Sequence, residues 1–266
     1  LENSNDNIIR KLFFAIHYAF SKLHHINLEE KKCIVIHEHV SWHYKKYFEY
    51  FNAKIILIFR DPKAALGGGI LRMKNSNTSK ILNSFQFDTM ILDMLCAYQI
   101  YLEEKNSGKA FFLQNEKMCI DLKKEILKLS SWMNIDFNSS LLEQTFMKKQ
   151  WLGESSYLAE DELEKPPPKN FYSPDEVEKR WRTVLSKKDI IFIEVVFRNY
   201  IKDLNYTFDN NLNFFKIIIS YLDFLFNYQH QEKYYINKYL IILRNVLRRV
   251  FMLIFKEKIA NIFNFK

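Results

Sequence analysis

Two short stretches carry residue types that can do chemistry. Arg60-Asp61-Pro62 follows the apolar run KIILIF, residues 54–59, and His37-Glu38-His39 follows the β-branched run at 33–36. An arginine at a strand end can fork onto a phosphate. An imidazole near its ordinary pKa can take a proton at neutral pH. Proline after Asp61 disfavours helix at Asp61, so the strand is expected to end there with Arg60 at its rim. Gly67-Gly68-Gly69 then reads as a turn whose backbone N–H groups approach an anion closely, a helix N-terminus adding partial positive charge. In an open parallel sheet ligands sit beyond the carboxyl ends of the strands, where both stretches fall.

Plainer readings stand beside each of these. Arg60 could be a solvated strand-end residue paired with Asp61, and the three glycines a turn with no ligand. His39 could be a satisfied core histidine, or could bind zinc with His37 and His43, although no cysteine or further histidine cluster completes a site nearby. Glu116, Ser155 and Ser156 read equally well as surface polar groups, and Trp181 at helical spacing as core.

The elements that must position these residues follow from periodicity. Residues 7–24 place Ile8, Leu12, Ala15 or Ile16, Ala19 and Leu23 at helical spacing. A strand over 33–36, a helical patch WHYKKYFEYF and the strand 54–59 come next, the last of a kind buried on both faces of a parallel sheet. The order helix, strand, helix, strand argues α/β. A long helix is expected over 79–104, a strand over AFFLQ (110–114), an amphipathic helix over LKKEILKLSSWM, and turn and helix through NIDFNSSLLEQTFM. Residues 150–174 hold four of the five prolines and read as a surface loop or lid. Ser173-Pro174-Asp175-Glu176 has the signature of a helix start, and that helix is expected to carry Arg180-Trp181-Arg182.

With 266 residues, 48% of them hydrophobic, the chain can bury a sizeable core. Cys33, Cys96 and Cys119 are few, odd in number and far apart, which suits a reducing, cytoplasmic compartment. The formal net charge is +8, and residues 207–266 hold nine Lys or Arg against four Asp or Glu, a net +5. No run of about 18 uncharged apolar residues occurs, since Asp223 and Arg244 interrupt the best candidates. The division expected is a domain over 1–206 and a basic helical extension over 207–266. In that extension Arg244, Arg248 and Arg249 share a helix with Leu243, Val246, Leu247, Val250 and Phe251. Such a helix either packs on the domain or a partner, or lies on an anionic membrane surface as a peripheral contact. The basic residues are scattered among apolar ones, which argues against nucleic acid.

KIILIFRDPKAAL resembles the 3′-phosphate-binding motif of the PAPS-dependent sulfotransferases: strand, Arg, Asp or Asn, Pro, helix. Three further segments are similar in the same order. IVIHEHV resembles the family's strand ending in Lys-Thr-His, AFFLQNEKMCIDLKKEILKLSSWMNID its strand, Glu-containing turn and helix, and WLGESSY with RWRTVLSKKDIIFIE and DLNY the late segments of bacterial members. The resemblance spans residues 30–206, roughly. It implies a P-loop NTPase-like α/β fold, a parallel sheet flanked by helices, to which the composition beyond residue 206 adds a C-terminal helical extension. It implies PAPS (3′-phosphoadenosine 5′-phosphosulfate) as co-substrate, PAP as product, no metal, and transfer of sulfuryl to a hydroxyl of a carbohydrate or other small acceptor.

On that resemblance His39 aligns with the catalytic histidine, with Glu38 as its substitute, and Arg60 holds the 3′-phosphate, helped by Arg182 or Ser155 from the lid. Gly68 stands where the family carries a second phosphate-binding residue, a serine, so the grip would rely on Arg60 and backbone. Residues 1–66 contain no glycine, and no Walker-type G-x-x-x-x-G-K-[ST] occurs. The resemblance then implies that the chain starts after the family's 5′-phosphosulfate loop. A degenerate, non-catalytic member and a membrane-peripheral interaction protein are the rival readings.

Overall fold

The computed structural model describes residues 4–29, 33–37, 47, 50–51, 53–75, 80–143, 145–146, 149–150, 173–226, 246–247, 249–251 and 254. The chain divides into two compact units, Leu1–Ile55 and Ile56–Lys266.

In the first unit α1 (Ser4–Leu23) forms where the apolar spacing places it. Phe13 packs on Phe51 with ring centroids 4.6 Å apart. Ile8, Leu12, Ile16 and Leu23, which set that spacing, are exposed. Residues 33–37, expected to hold a strand, are exposed and carry no ladder pairing. β-Branched side chains favour a pleated surface only where a neighbouring strand and a packed face are supplied.

The second unit is built around β1 (Ile55–Phe59) and β2 (Ala110–Gln114), a two-stranded parallel sheet flanked by helices. β1 is covered on one side only, with Ile56 and Ile58 exposed, in contrast to the two-sided burial its composition suggests. Phe59 is buried, its ring 5.9 Å from Tyr101, 6.0 Å from Phe112 and 5.7 Å from Tyr200.

α2 (Pro62–Asn75) begins three residues past the end of β1, and the triple glycine lies within it rather than in a turn. Asp61 and Pro62 explain the early start. The Asp61 side chain accepts from the Lys63 N–H (2.8 Å), its carbonyl from the Ala65 N–H (2.9 Å), and Pro62 occupies the first helical position, where a missing N–H costs nothing. None of the three glycines takes a positive φ. Each costs about 1 kcal/mol of helix propensity relative to alanine, and packing of Leu66 and Ile70 in the core outweighs it.

α3 (Lys80–Glu104) packs on α2 and β2, and α4 (Asn115–Ile120) with α5 (Leu122–Met133) follows β2. Asn134 closes α5 in the left-handed region, donating its N–H to Ser130 and Ser131. A 3₁₀ turn at Ser139–Leu142 and the strand β3 (Thr145–Phe146) stand where turn and helix were expected, and β3 pairs antiparallel with β4 (Lys149–Gln150). α6 (Pro174–Lys179) starts at its sequence signature, but Arg180–Thr183 is a separate 3₁₀ turn. α7 (Lys187–Val196) opens on a capping box between Ser186 and Asp189, α8 (Arg198–Asp203) follows, and α9 (Phe214–Phe226) packs on α7.

Of the basic tail residues, Arg249 is buried, with Nε 3.4 Å from each carboxylate oxygen of buried Asp88 in α3. Arg244 and Arg248 lie outside the described residues, as do 151–172. Among the described residues no helix is long and apolar enough to cross a membrane.

Arg249→Met would leave Asp88 buried without its guanidinium, at a cost of about 3–5 kcal/mol. Urea unfolding should show this as a lower midpoint with an unchanged slope; a shift below about 0.5 kcal/mol would rule the pairing out.

Candidate functional site

The chemistry-bearing side chains gather where β1 and β2 end. Arg60 follows β1 directly, and its carbonyl accepts from the buried Tyr200 hydroxyl at 2.9 Å. Its guanidinium Nε is buried and has no hydrogen-bond partner among the described residues. Leaving such a donor unmet costs about 1–3 kcal/mol. Across the corner, Glu116 in the first turn of α4 accepts from the Asp61 N–H (2.9 Å) and the Tyr206 hydroxyl (3.1 Å), tying the end of β1 to the end of β2. The rings of Tyr206 and Tyr200 stack with centroids 6.0 Å apart.

Beneath this corner lies a buried charge cluster that sequence reasoning missed. Lys63 in the first turn of α2 is 0% exposed. Its ammonium donates to the Thr207 carbonyl (2.5 Å) and to Asp209 Oδ2 (2.8 Å), with Glu194 Oε1 at 3.6 Å and Asp61 Oδ2 at 3.8 Å. It also lies 5.2 Å from the Trp181 ring centroid. Glu194 of α7 in turn accepts from the Asp209 N–H (2.5 Å), the Asn210 N–H (3.2 Å) and the Asn210 side chain (2.9 Å). The only sequence signal was weak: Lys63 sits in RDPK, and a lysine in a first helical turn ordinarily faces water.

Burial shifts several of these groups. Desolvation pushes Asp61 up to about 6; Lys63 opposes the rise, and Glu116 and Asp209 add to it. Burial also pushes Asp209 up, but hydrogen bonds from Lys63 and Arg182 outweigh it and leave the carboxyl below its ordinary value. The Cys119 thiol is raised, by burial first and Glu116 second, with Arg60 and Arg180 opposing.

The residues singled out from sequence are distributed unevenly. Arg60 stands at the strand end as expected. Arg182, expected as a helper at the phosphate, is paired with Asp209 and lies 4.4 Å from the Trp181 ring centroid. Gly68 is buried inside α2, so its N–H belongs to the helix rather than to a ligand grip, and the helix N-terminus is occupied by the Asp61 carboxylate. His39, Glu38, Ser155 and His43 lie outside the described residues. Among the described residues no group of three His, Cys, Asp or Glu is placed to hold a metal ion. Comparison of the chain with family models, curated proteins and solved structures finds no match.

Asp61 gives the site a pH signature. Its folded pKa lies above the ordinary 3.8, so the stabilisation from holding its proton is complete below about pH 4 and is lost as pH rises through about 6. Asp61→Asn lacks this component while keeping a side-chain acceptor for Lys63 N–H. Urea unfolding from pH 4 to pH 7 should show wild type losing up to about 3 kcal/mol relative to the variant. Parallel stability curves would contradict the assignment.

Proposed function

We propose that this chain is a PAPS-dependent sulfotransferase that transfers sulfuryl to a hydroxyl of a carbohydrate or other small acceptor. The observation that carries the reading is Arg60: a guanidinium at a strand's carboxyl end with a buried donor awaiting an acceptor. A phosphate oxygen supplies that acceptor, and a fork onto the 3′-phosphate satisfies charge and hydrogen bond together. The order of RDP, the Glu116 turn and the RWR segment along the chain supports the same reading.

In this proposal PAPS binds by its 3′-phosphate to Arg60, and the acceptor hydroxyl attacks sulfur in line as the bridging oxygen of PAP leaves. His39 takes the hydroxyl proton, with Glu38 as the alternative base. Arg182 or Ser155 helps hold the 3′-phosphate, and Arg182 reaches it only by leaving Asp209. Gly68 contributes helix packing rather than a donor. No metal takes part, and the site takes no nucleic acid.

Calorimetry with adenosine 3′,5′-bisphosphate at fixed salt tests the reading. Wild type should bind, and Arg60→Ala should weaken binding by about 2 kcal/mol, the scale of a lost charge-assisted hydrogen bond. Absence of binding to the folded chain would reject the nucleotide site. Binding without sulfuryl transfer to any hydroxyl acceptor would favour the degenerate member.

A further inference from the structure

Helix α9 presents the wrong face to water. Phe214, Phe215, Ile218, Ile219 and Leu222 are all exposed, Phe214 at 70% and Phe215 at 74%. At one turn per 3.6 residues these five share a single arc of about 140°. The opposite side carries the polar residues beside half-buried Ile217: Ser220 is buried, with no hydrogen-bond partner for its hydroxyl among the described residues, and Lys216 is half-buried with its ammonium on the Asn211 carbonyl at 2.9 Å. A surface helix of a water-soluble domain has the reverse arrangement. A contiguous apolar face of this size marks a docking surface.

We propose that the outward face of α9 docks on an anionic membrane surface, its phenylalanines reaching the boundary between headgroups and acyl chains. Charge selects this occupant. Residues 207–266 carry nine Lys or Arg against four Asp or Glu, and the whole chain carries +8. A second copy meeting this face would bring two strongly basic extensions together, whereas acidic lipid headgroups neutralise them. Apolar insertion by α9 and attraction of a basic chain to anionic lipid then act together, the combination that holds interfacial helices. Arg249, buried against Asp88, fastens position 249 of the same basic extension to α3, so a membrane-bound α9 would hold the rest of the second unit at the surface. This inference is independent of the sulfotransferase reading, since it uses no residue of the strand-end site.

Flotation of the full chain with phosphatidylcholine vesicles, with and without phosphatidylserine, tests it. Wild type should float with the anionic vesicles, much less with the neutral ones, and release as salt is raised. The triple change Phe214→Ser, Phe215→Ser, Ile219→Ser should lower partitioning about tenfold or more with an unchanged urea midpoint, because these side chains stand mostly exposed to solvent. Should the triple variant unfold, Phe215→Ser alone should still lower partitioning about threefold. Failure of wild type to float, or a folded variant that floats as wild type does, would overturn the proposal. Concentration-dependent dimerisation that the triple change abolishes, without flotation, would assign the face to a second copy.

Discussion

A fully buried lysine ammonium must be paid back in full by its surroundings, and the strand-end corner is arranged around doing so. Moving a charge out of water costs several kcal/mol even after relaxation. Lys63 recovers this through a carbonyl, three carboxylates and an aromatic face that come from four separate parts of the chain: Thr207 and Asp209 from the segment after α8, Glu194 from α7, Asp61 from the cap of α2 and Trp181 from the 3₁₀ turn. None of these can move away without stranding a buried charge. The ammonium therefore fixes where α2 begins.

That fixed start has consequences one residue earlier. Asp61 is held from both sides, its carboxylate by the first N–H of α2 and its own N–H by Glu116, so the backbone at Arg60 has little freedom. Tyr200 adds a third restraint through the Arg60 carbonyl. The arginine is thus presented by a preorganised corner, with the ordering cost met during folding rather than on binding. Burial explains the altered acidity of Asp61: loss of solvent raises it most, Lys63 opposes the rise, and the nearby carboxylates of Glu116 and Asp209 add to it.

Local chemistry was legible in the sequence where one or two residues decide the outcome. Asp61-Pro62 ends the strand, AFFLQ is β2, LKKEILKLSSWM is α5 to the residue, and Ser173-Pro174 opens α6. What was not legible depends on distant partners. The glycines at 67–69 suggested a turn by their own preference, but an efficient cap upstream and a packed face carried helix through them. The run at 33–36 has strand composition and no ladder. Lys63 looked like any surface lysine, because its carboxylates lie up to 146 residues away along the chain. Arg60 was found because the proline after Asp61 marks its position locally; whether its guanidinium would meet a protein carboxylate was a tertiary question.

The central claim, that the Lys63 cluster is a cooperative clamp, is tested most directly by a double-mutant cycle in urea unfolding with Lys63→Met and Asp209→Asn. The clamp predicts a coupling energy of about 1–3 kcal/mol, because each change strands the charge the other would have met. Additive effects within about 0.5 kcal/mol would mean that the two groups stabilise the fold independently and that the corner is held by something else.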